Sequence, residues 1–401
     1  MPRSSDHPNV DLIARAASAG LPFALWRRPG ASESSAIVST SLVQTRPIFA
    51  AGQSQPFFAM GRFESREANQ ADAIAADVLY RDGRLWFYDG NSYQAEPVDQ
   101  AQRDLMATEP AARVQAPAHP GLAAPTAMER PDYEALVART VEAIRQKICA
   151  KIVLSRVESR PLPETYDLLD SAQALMKAYP NAFIALVSSP TTGTWLVATP
   201  ETLLAADRHQ VQTMALAGTL WPAPGTDPQS VEWPDKIVEE QGLVAQFIRE
   251  AFVASRLQGV IETAPRTVQA ANLVHLRSDF SAPLEADRAE TRHSLAELLN
   301  RLHPTSAVCG MPKTEARDFI GANEGYDRTY YTGYLGPVGL NDRTDLYVNL
   351  RSAQVLGRHL HIYVGGGIVA QSEPATEWEE TVQKSRTIGQ VVAPLDSPAS
   401  R

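Results

Sequence analysis

The chain has little cysteine, no excess of positive charge and no long apolar run, and each shortage argues against a class of protein. Two cysteines in 401 residues, Cys149 and Cys309, stand outside any C-x-x-C or histidine-rich setting, which argues against a disulfide framework and fits a reducing cytoplasm. A formal net charge of -9 argues against nucleic acid or an anionic membrane surface as the main partner. If the ligand is itself an anion, local lysines and arginines must hold it against the overall field. The longest apolar runs, such as 183–187, are far too short to span a bilayer, and the first twenty residues are broken by Asp6, Asp11 and Arg15. Neither a membrane helix nor a signal peptide is expected, and the expected location is cytoplasmic.

What is present is an ordinary globular composition, with 44% hydrophobic and 21% charged residues. The length allows two or three domains, or one large α/β or α+β unit. Residues 1–107 read as short strands (22–26, 36–42, 57–63) and a hairpin over 78–88 turning at Asp82 and Gly83; they form a β-rich scaffold part of the same unit, without a catalytic constellation. Residues 108–130 are rich in alanine and proline and read as a surface connection and not as a packed element. A helix over 131–149 follows, with Tyr133, Leu136, Val137, Val141, Ile144 and Ile148 on one face.

Several later side chains invite a chemical reading beside a plain one. In the alternating segment 150–160, Lys151 either snorkels at a strand entrance or points into a pocket, where desolvation would lower its pKa and let it act as a base. Glu201 follows Thr199 and Pro200 where one strand gives way to the next, and such a carboxylate is a solvated turn residue or an inward-facing one. In a helix over 234–256, Glu240 shares the stripe of Leu243, Val244 and Phe247, so it needs a cation, either Lys236 or a metal. His275 and His303 read as satisfied structural histidines. Arg351 lies in the first strand of a hairpin, 345–355 and 359–364.

The stretch 363–384 (YVGGGIVAQSEPATEWEETVQK) is the centre of this pattern. A strand ending in three glycines leads into a helix on which Glu377, Glu380, Thr381 and Lys384 share one face. Thr376 and Glu379 match a capping box, and Pro374 also suits a first helical position. Glycines that let backbone N–H groups approach an anion, beside two acids and an ammonium, suit a carboxylate ligand held through a divalent metal. The plain alternative is a solvated face with a Glu380–Lys384 pair.

Taken together, KIVLSR from Lys151, ATPETLL around Glu201, LAGT at 216–219, EEQ at 239–241, HPTSAVCGMP from His303, NLRSA around Arg351, and GGGIV followed by EWEET and Lys384 resemble the chorismate-utilising enzymes, the anthranilate synthase component I-like family, and within it the isochorismate synthases. The similarity covers roughly residues 130–390, with the motifs in order; 131–392 is then the chorismate-binding catalytic region and 393–401 a tail. The resemblance implies an α+β fold of two packed antiparallel sheets flanked by helices, with a Mg²⁺-dependent site inside. It implies Lys151 as the base that activates a water and Glu201 as the acid that protonates the departing hydroxyl. Glu240 and Glu380 match the metal-binding glutamates, with Glu377 a ligand through water. Arg351, Lys384, the Gly365 amide, Gly218 and Thr219 match groups that hold the substrate carboxylates, and Ala307 and Tyr331 fall in the substrate pocket.

The activity so implied is Mg²⁺-dependent isomerisation of chorismate to isochorismate, feeding menaquinone or siderophore biosynthesis. Salicylate synthase, which would go on to eliminate pyruvate, is the alternative; Ala307 stands where those enzymes tend to have threonine. Anthranilate or aminodeoxychorismate synthesis is disfavoured, because members that use ammonia carry glutamine where Lys151 stands. A lapsed chorismate-binding protein is a further alternative, against which all five residues Lys151, Glu201, Glu240, Glu380 and Lys384 are present. The partner implied is the small molecule chorismate; a monomer is expected, without a glutamine amidotransferase. Two departures from the family pattern are Gln241, where many relatives have histidine, and Gly366, where alanine is commoner.

Overall fold

Strands buried on both faces set the architecture. Phe183–Ser189 and Gly193–Thr199 are buried at every residue, which requires cover on both sides. The computed structural model describes residues 8–394 apart from 53–54, 66, 120, 221–226, 228–229, 271–272 and 286–288, and apart from the side chains of 219, 236, 270 and 273. Among these, an eleven-stranded sheet runs in the order Gly310–Met311, Lys151–Pro161, His359–Ile368, Ser352–Leu356, Gly193–Thr199, Phe183–Ser189, Phe23–Arg27, Ser35–Val38, Val78–Arg81, Arg84–Tyr88, Tyr93–Gln94. A ten-stranded sheet includes Leu273–Pro283, Gln210–Leu220, Thr202–Ala206, Thr344–Val348, Tyr334–Val338 and Phe57–Gly61 in that order. Neighbouring strands pair antiparallel.

The sheets face each other across Trp26, Phe58, Phe183, Trp195 and Tyr347, with the rings of Phe183 and Tyr347 stacked at 3.9 Å. Each such side chain contributes about 1.5–3 kcal/mol by leaving water. Helices Pro8–Ser18, Leu168–Ala178 and Pro374–Val392 cover the outer face of the first sheet through residues such as Leu12, Leu169 and Ile388. Helices Asp235–Ala254 and Ala289–Leu302 cover the second through Val244, Phe252 and Leu298. The outcome is α+β, with two packed antiparallel sheets between helical layers. No helix among the described residues is long and apolar enough to cross a membrane.

Several sequence expectations change. The first 107 residues include two helices, Pro8–Ser18 and Gln100–Ala107, and a further helix, Lys313–Asn323, stands where no element is expected from the sequence; each is short and helical because its apolar residues dock on the core, a tertiary effect. Within 108–130, Val114 is 1% exposed and donates its N–H to Asp167 Oδ2 at 2.8 Å, so this connection packs. Asp167 also caps helix Leu168–Ala178 by accepting from the Leu169 and Asp170 amides. The final helix starts at Pro374 with Glu373 as a cap that makes no side-chain bond, so proline at the first position prevails over the Thr376–Glu379 box. The expected tail 393–401 lies outside the described residues from 395 onward.

The strand read over 345–355 is broken in two. Thr344–Val348 belongs to the ten-stranded sheet and Ser352–Leu356 to the eleven-stranded one, and the chain turns between them at Arg351, whose φ is +46°. A second crossing, from Thr199 in one sheet to Thr202 in the other, contains Glu201. The crossings lie side by side, because the Ala198 N–H bonds the Arg351 carbonyl and the Val348 N–H bonds that of Glu201, both at 3.0 Å.

Candidate active site

A cavity of about 890 Å³ is lined by Lys151, Glu201, Gly218, Glu240, Ala307, Tyr331, Arg351, Gly365, Glu377, Glu380 and Lys384, so these expected residues share one hollow. The Thr219 side chain lies outside what is described.

Glycines let the chain pass close to its neighbours around this cavity. Strand Lys151–Pro161 pairs with His359–Ile368 so that Gly365 faces Ser155 and Gly367 faces Val153. A Cβ on Gly365 would collide with the Leu154 carbonyl, and one on Gly367 would lie 2.7 Å from Lys151 Cε. One on Gly366 would sit 3.4 Å from Glu377 Oε2 and 3.5 Å from Glu380 Oε1, an ordinary contact. Gly218 has φ +67°, and a side chain there would strike Ile237; it lies where the pairing of Gln210–Leu220 with Leu273–Pro283 shifts register.

Lys151 is buried and its Nζ donates to Glu240 Oε1 in an ion pair. The cation expected for Glu240 was Lys236 or a metal; it is Lys151, while the Lys236 side chain lies outside the described set. The stripe reading also shifts, since Leu243 is exposed and Gln241, Val244, Ala245 and Ile248 form the buried face. Glu240 therefore stands at the margin of that face, open to the cavity, and Gln241 donates Nε2 to Ser278 Oγ at 3.0 Å. On helix Pro374–Val392, Lys384 donates to Glu380 Oε1 at 2.5 Å and to the Gly365 carbonyl at 2.9 Å. The solvated-face reading anticipated this pair, yet the face lines the cavity and Glu377 is buried.

Glu201 is 4% exposed. Burial pushes its carboxyl up to about 7, against the nearby Lys151 charge and a 3.5 Å hydrogen bond from Thr305 Oγ1. Near neutrality it is thus partly a neutral acid. Arg351 is also buried; burial lowers its pKa, but a guanidinium stays charged. It donates Nη1 to Thr387 Oγ1 at 3.1 Å and makes no ion pair among the described residues, which suits it to an incoming anion. Tyr331 stacks on Tyr363 with ring centroids 5.2 Å apart.

His275, read as structural, lines the cavity as well. Its Nδ1 lies 2.7 Å from the Gly218 carbonyl and so carries the proton. Burial, aided by the Arg351 and Lys384 charges, pushes its pKa down to about 4, and the ring is neutral at pH 7. Nothing in the spacing of LVHL separates it from a core histidine. His303 does hold a structural bond, Nε2 to the Arg62 carbonyl at 2.9 Å.

Glu240, Glu377 and Glu380 offer the oxygen donors that a hard divalent cation takes, and all three approach the Gly366–Gly367 backbone. In donor type they fit Mg²⁺. Among the described residues no three acidic, histidine or cysteine side chains close into a metal-ligating group, and the lysine ammonium groups now neutralise Glu240 and Glu380.

Comparisons with known proteins bear on this arrangement. The family described as chorismate binding enzyme matches residues 88–393. The chain is 33% identical over 268 residues to the salicylate biosynthesis isochorismate synthase of Pseudomonas aeruginosa, across 65% of this chain and 54% of that protein. It is 32% identical to anthranilate synthase component 1 of Streptomyces coelicolor, across 63% and 49%, and 29% identical to the isochorismate synthase MenF of Escherichia coli, across 66% and 62%. The chain thus spans about half the length of the first two relatives and somewhat more of the third. The solved structure of E. coli MenF superposes with a TM-score of 0.75 at 19% identity, over 98% of this chain and 93% of that one. A 2,3-dihydroxybenzoate-specific isochorismate synthase structure from Bacillus anthracis gives 0.72 at 20%, over 95% and 100%. At such identities the likeness is one of fold.

Proposed function

The chain belongs to the chorismate-binding enzymes, and we propose that it isomerises chorismate to isochorismate, adding water at C2 and expelling the C4 hydroxyl. The observation that carries this reading is that Lys151 and Glu201, a base and an acid, border one cavity with the acidic face of the last helix. Moving a hydroxyl across a cyclohexadiene needs proton removal from the entering water and proton delivery to the departing oxygen. Glu201, kept partly protonated by burial, delivers its proton to the C4 oxygen. Lys151 takes one from water as a neutral amine, and for this it must first release a proton to solvent and leave the ion pair with Glu240, because an ammonium is not a base.

Arg351, Lys384 and the Gly365 amide bind the two substrate carboxylates, supplying the local positive charge that a net charge of -9 makes necessary. Gly218 and Thr219 assist at the strand irregularity, and Ala307 and Tyr331 border the ring. Glu240 and Glu380, with Glu377 through a water, would hold Mg²⁺, which when bound supplies a counter-charge to one substrate carboxylate. Water as the nucleophile removes any need for an amidotransferase.

Incubation with chorismate and Mg²⁺, followed by NMR, tests the reading. Isochorismate without pyruvate is the expected product. Pyruvate with salicylate would make the chain a lyase, pyruvate with an aromatic amine would make it an amine-using member, and absence of turnover would leave a binding protein.

A further inference from the structure

The strand that begins with Lys151 has almost no neighbour on its outer side. The strand Gly310–Met311 pairs only with Ile152 and Lys151, yet backbone groups along this edge are buried and must be satisfied. The Val153 N–H goes to the Cys309 carbonyl at 2.8 Å and the Val157 carbonyl accepts from the Met128 N–H at 3.0 Å. Between them, side chains replace a strand. Arg328 Nη2 donates to the Val153 carbonyl at 2.7 Å, and the Ser155 N–H donates to Glu324 Oε1 at 2.7 Å.

Glu324 and Arg328 are each 2% exposed and ion-paired with each other. The guanidinium reaches further, with Nη1 donating to the Val308 carbonyl at 3.0 Å and to Thr332 Oγ1 at 3.2 Å. Val153, Val308 and Thr332 all line the cavity. They belong to three separate walls: the Lys151 strand, the segment with Ala307, and the loop with Tyr331. The Arg328 guanidinium also sits 4.5 Å from the Phe63 ring, so one planar cation joins three walls and the amino-terminal third. A buried ion pair contributes little net stability against apolar replacements, whereas its geometry is demanding. Stability alone is therefore a poor account of it.

We propose that the Glu324–Arg328 pair is a positioning device for the reaction assigned above: it stands in for a missing strand and sets the height of Lys151 over the substrate relative to Ala307 and Tyr331. The inference rests on that assignment for its kinetic part only. Neither residue touches the reacting atoms; both act through the backbone on which Lys151 is mounted.

Arg328→Lys keeps the charge but cannot fork to three acceptors. The variant is expected to fold, by circular dichroism and thermal unfolding, with kcat reduced about 10- to 100-fold and KM changed by less than about threefold, as for a base displaced by a fraction of an ångström. Reductive methylation of Lys151, read by peptide mass spectrometry, should rise several-fold. A folded variant with wild-type kcat and wild-type methylation, or a loss confined to KM, overturns the proposal. If Arg328→Lys does not fold, Glu324→Gln is read in the same way, and failure of both to fold also overturns it, since the pair would then serve stability. The methylation reports Lys151 placement even if the wild-type protein leaves chorismate untouched, so failure of the reaction and failure of this inference give different results.

Discussion

Glu201 and Arg351 enter the cavity from the two crossings between the sheets, and neither makes an ion pair among the described residues; Lys151 and Lys384 enter from a strand and a helix, and each holds a glutamate. The difference follows from cover. The crossings are enclosed by both sheets, so burial governs protonation there and lifts Glu201 to about 7. The Glu240 and Glu380 side chains are 30% and 34% exposed, so water reaches these carboxylates, and each is held by a lysine. One region prepares a proton donor by excluding water, and the other stores its charges as pairs that a ligand can exchange.

The largest expected effect tests both regions together. Lys151→Ala and Glu201→Gln should each lower turnover by roughly 10²- to 10⁴-fold with the fold retained by circular dichroism; near-normal chorismate consumption in either would remove that residue from the chemistry. Next comes Gly367→Ala, whose methyl would lie 2.7 Å from Lys151 Cε. Displacing the lysine should lower kcat by up to about 10²-fold, and an unchanged kcat would mean that Lys151 need not stay where the glycine lets it pass.

In the paired region, Glu240→Gln and Glu380→Gln should raise the Mg²⁺ concentration needed for half-activation by at least about tenfold; an identical metal titration would argue that pairing with lysine is their whole role. In the buried region, kcat/KM should fall as pH rises through about 7. Glu201 has its pKa raised above the usual carboxyl value, so the proton it must donate is present below that pH and lost above it. A profile flat to pH 9 would detach the acid role from Glu201. The smallest effect belongs to Gly366→Ala, where the methyl makes only ordinary contacts with Glu377 and Glu380; turnover within about twofold of wild type is expected, and a large loss would show the acidic face to be tighter than the spacing indicates.

The parts of the molecule legible in the sequence are those written in local periodicity. The apolar run 183–187, which lies in strand Phe183–Ser189, and the hairpin turning at Asp82 and Gly83 announce themselves through apolar patterning and turn chemistry. The helical face with Glu377, Glu380 and Lys384 was equally plain. What local pattern could not give was how distant segments meet. Residues 345–355 alternate like one strand, and nothing in them says that Val348 and Ser352 serve different sheets. For the same reason the sequence offered Lys236, one turn away, as the partner of Glu240, when the ammonium arrives from 89 residues earlier. A buried histidine such as His275 looks alike in a core and at a cavity wall, and no motif marks the acceptors that Arg328 finds beyond Glu324, two backbone carbonyls and a threonine.

The matched family segment begins at residue 88, yet Phe23–Arg27 is flanked by Ser35–Val38 and Phe183–Ser189, and Phe57–Gly61 lies against Tyr334–Val338. A gene trimmed to the recognisable portion would encode two sheets with raw margins, each a template for sticking to another copy. The leading segment is therefore held in place by what its neighbours need from it, a straight backbone and an oily face to lie beside.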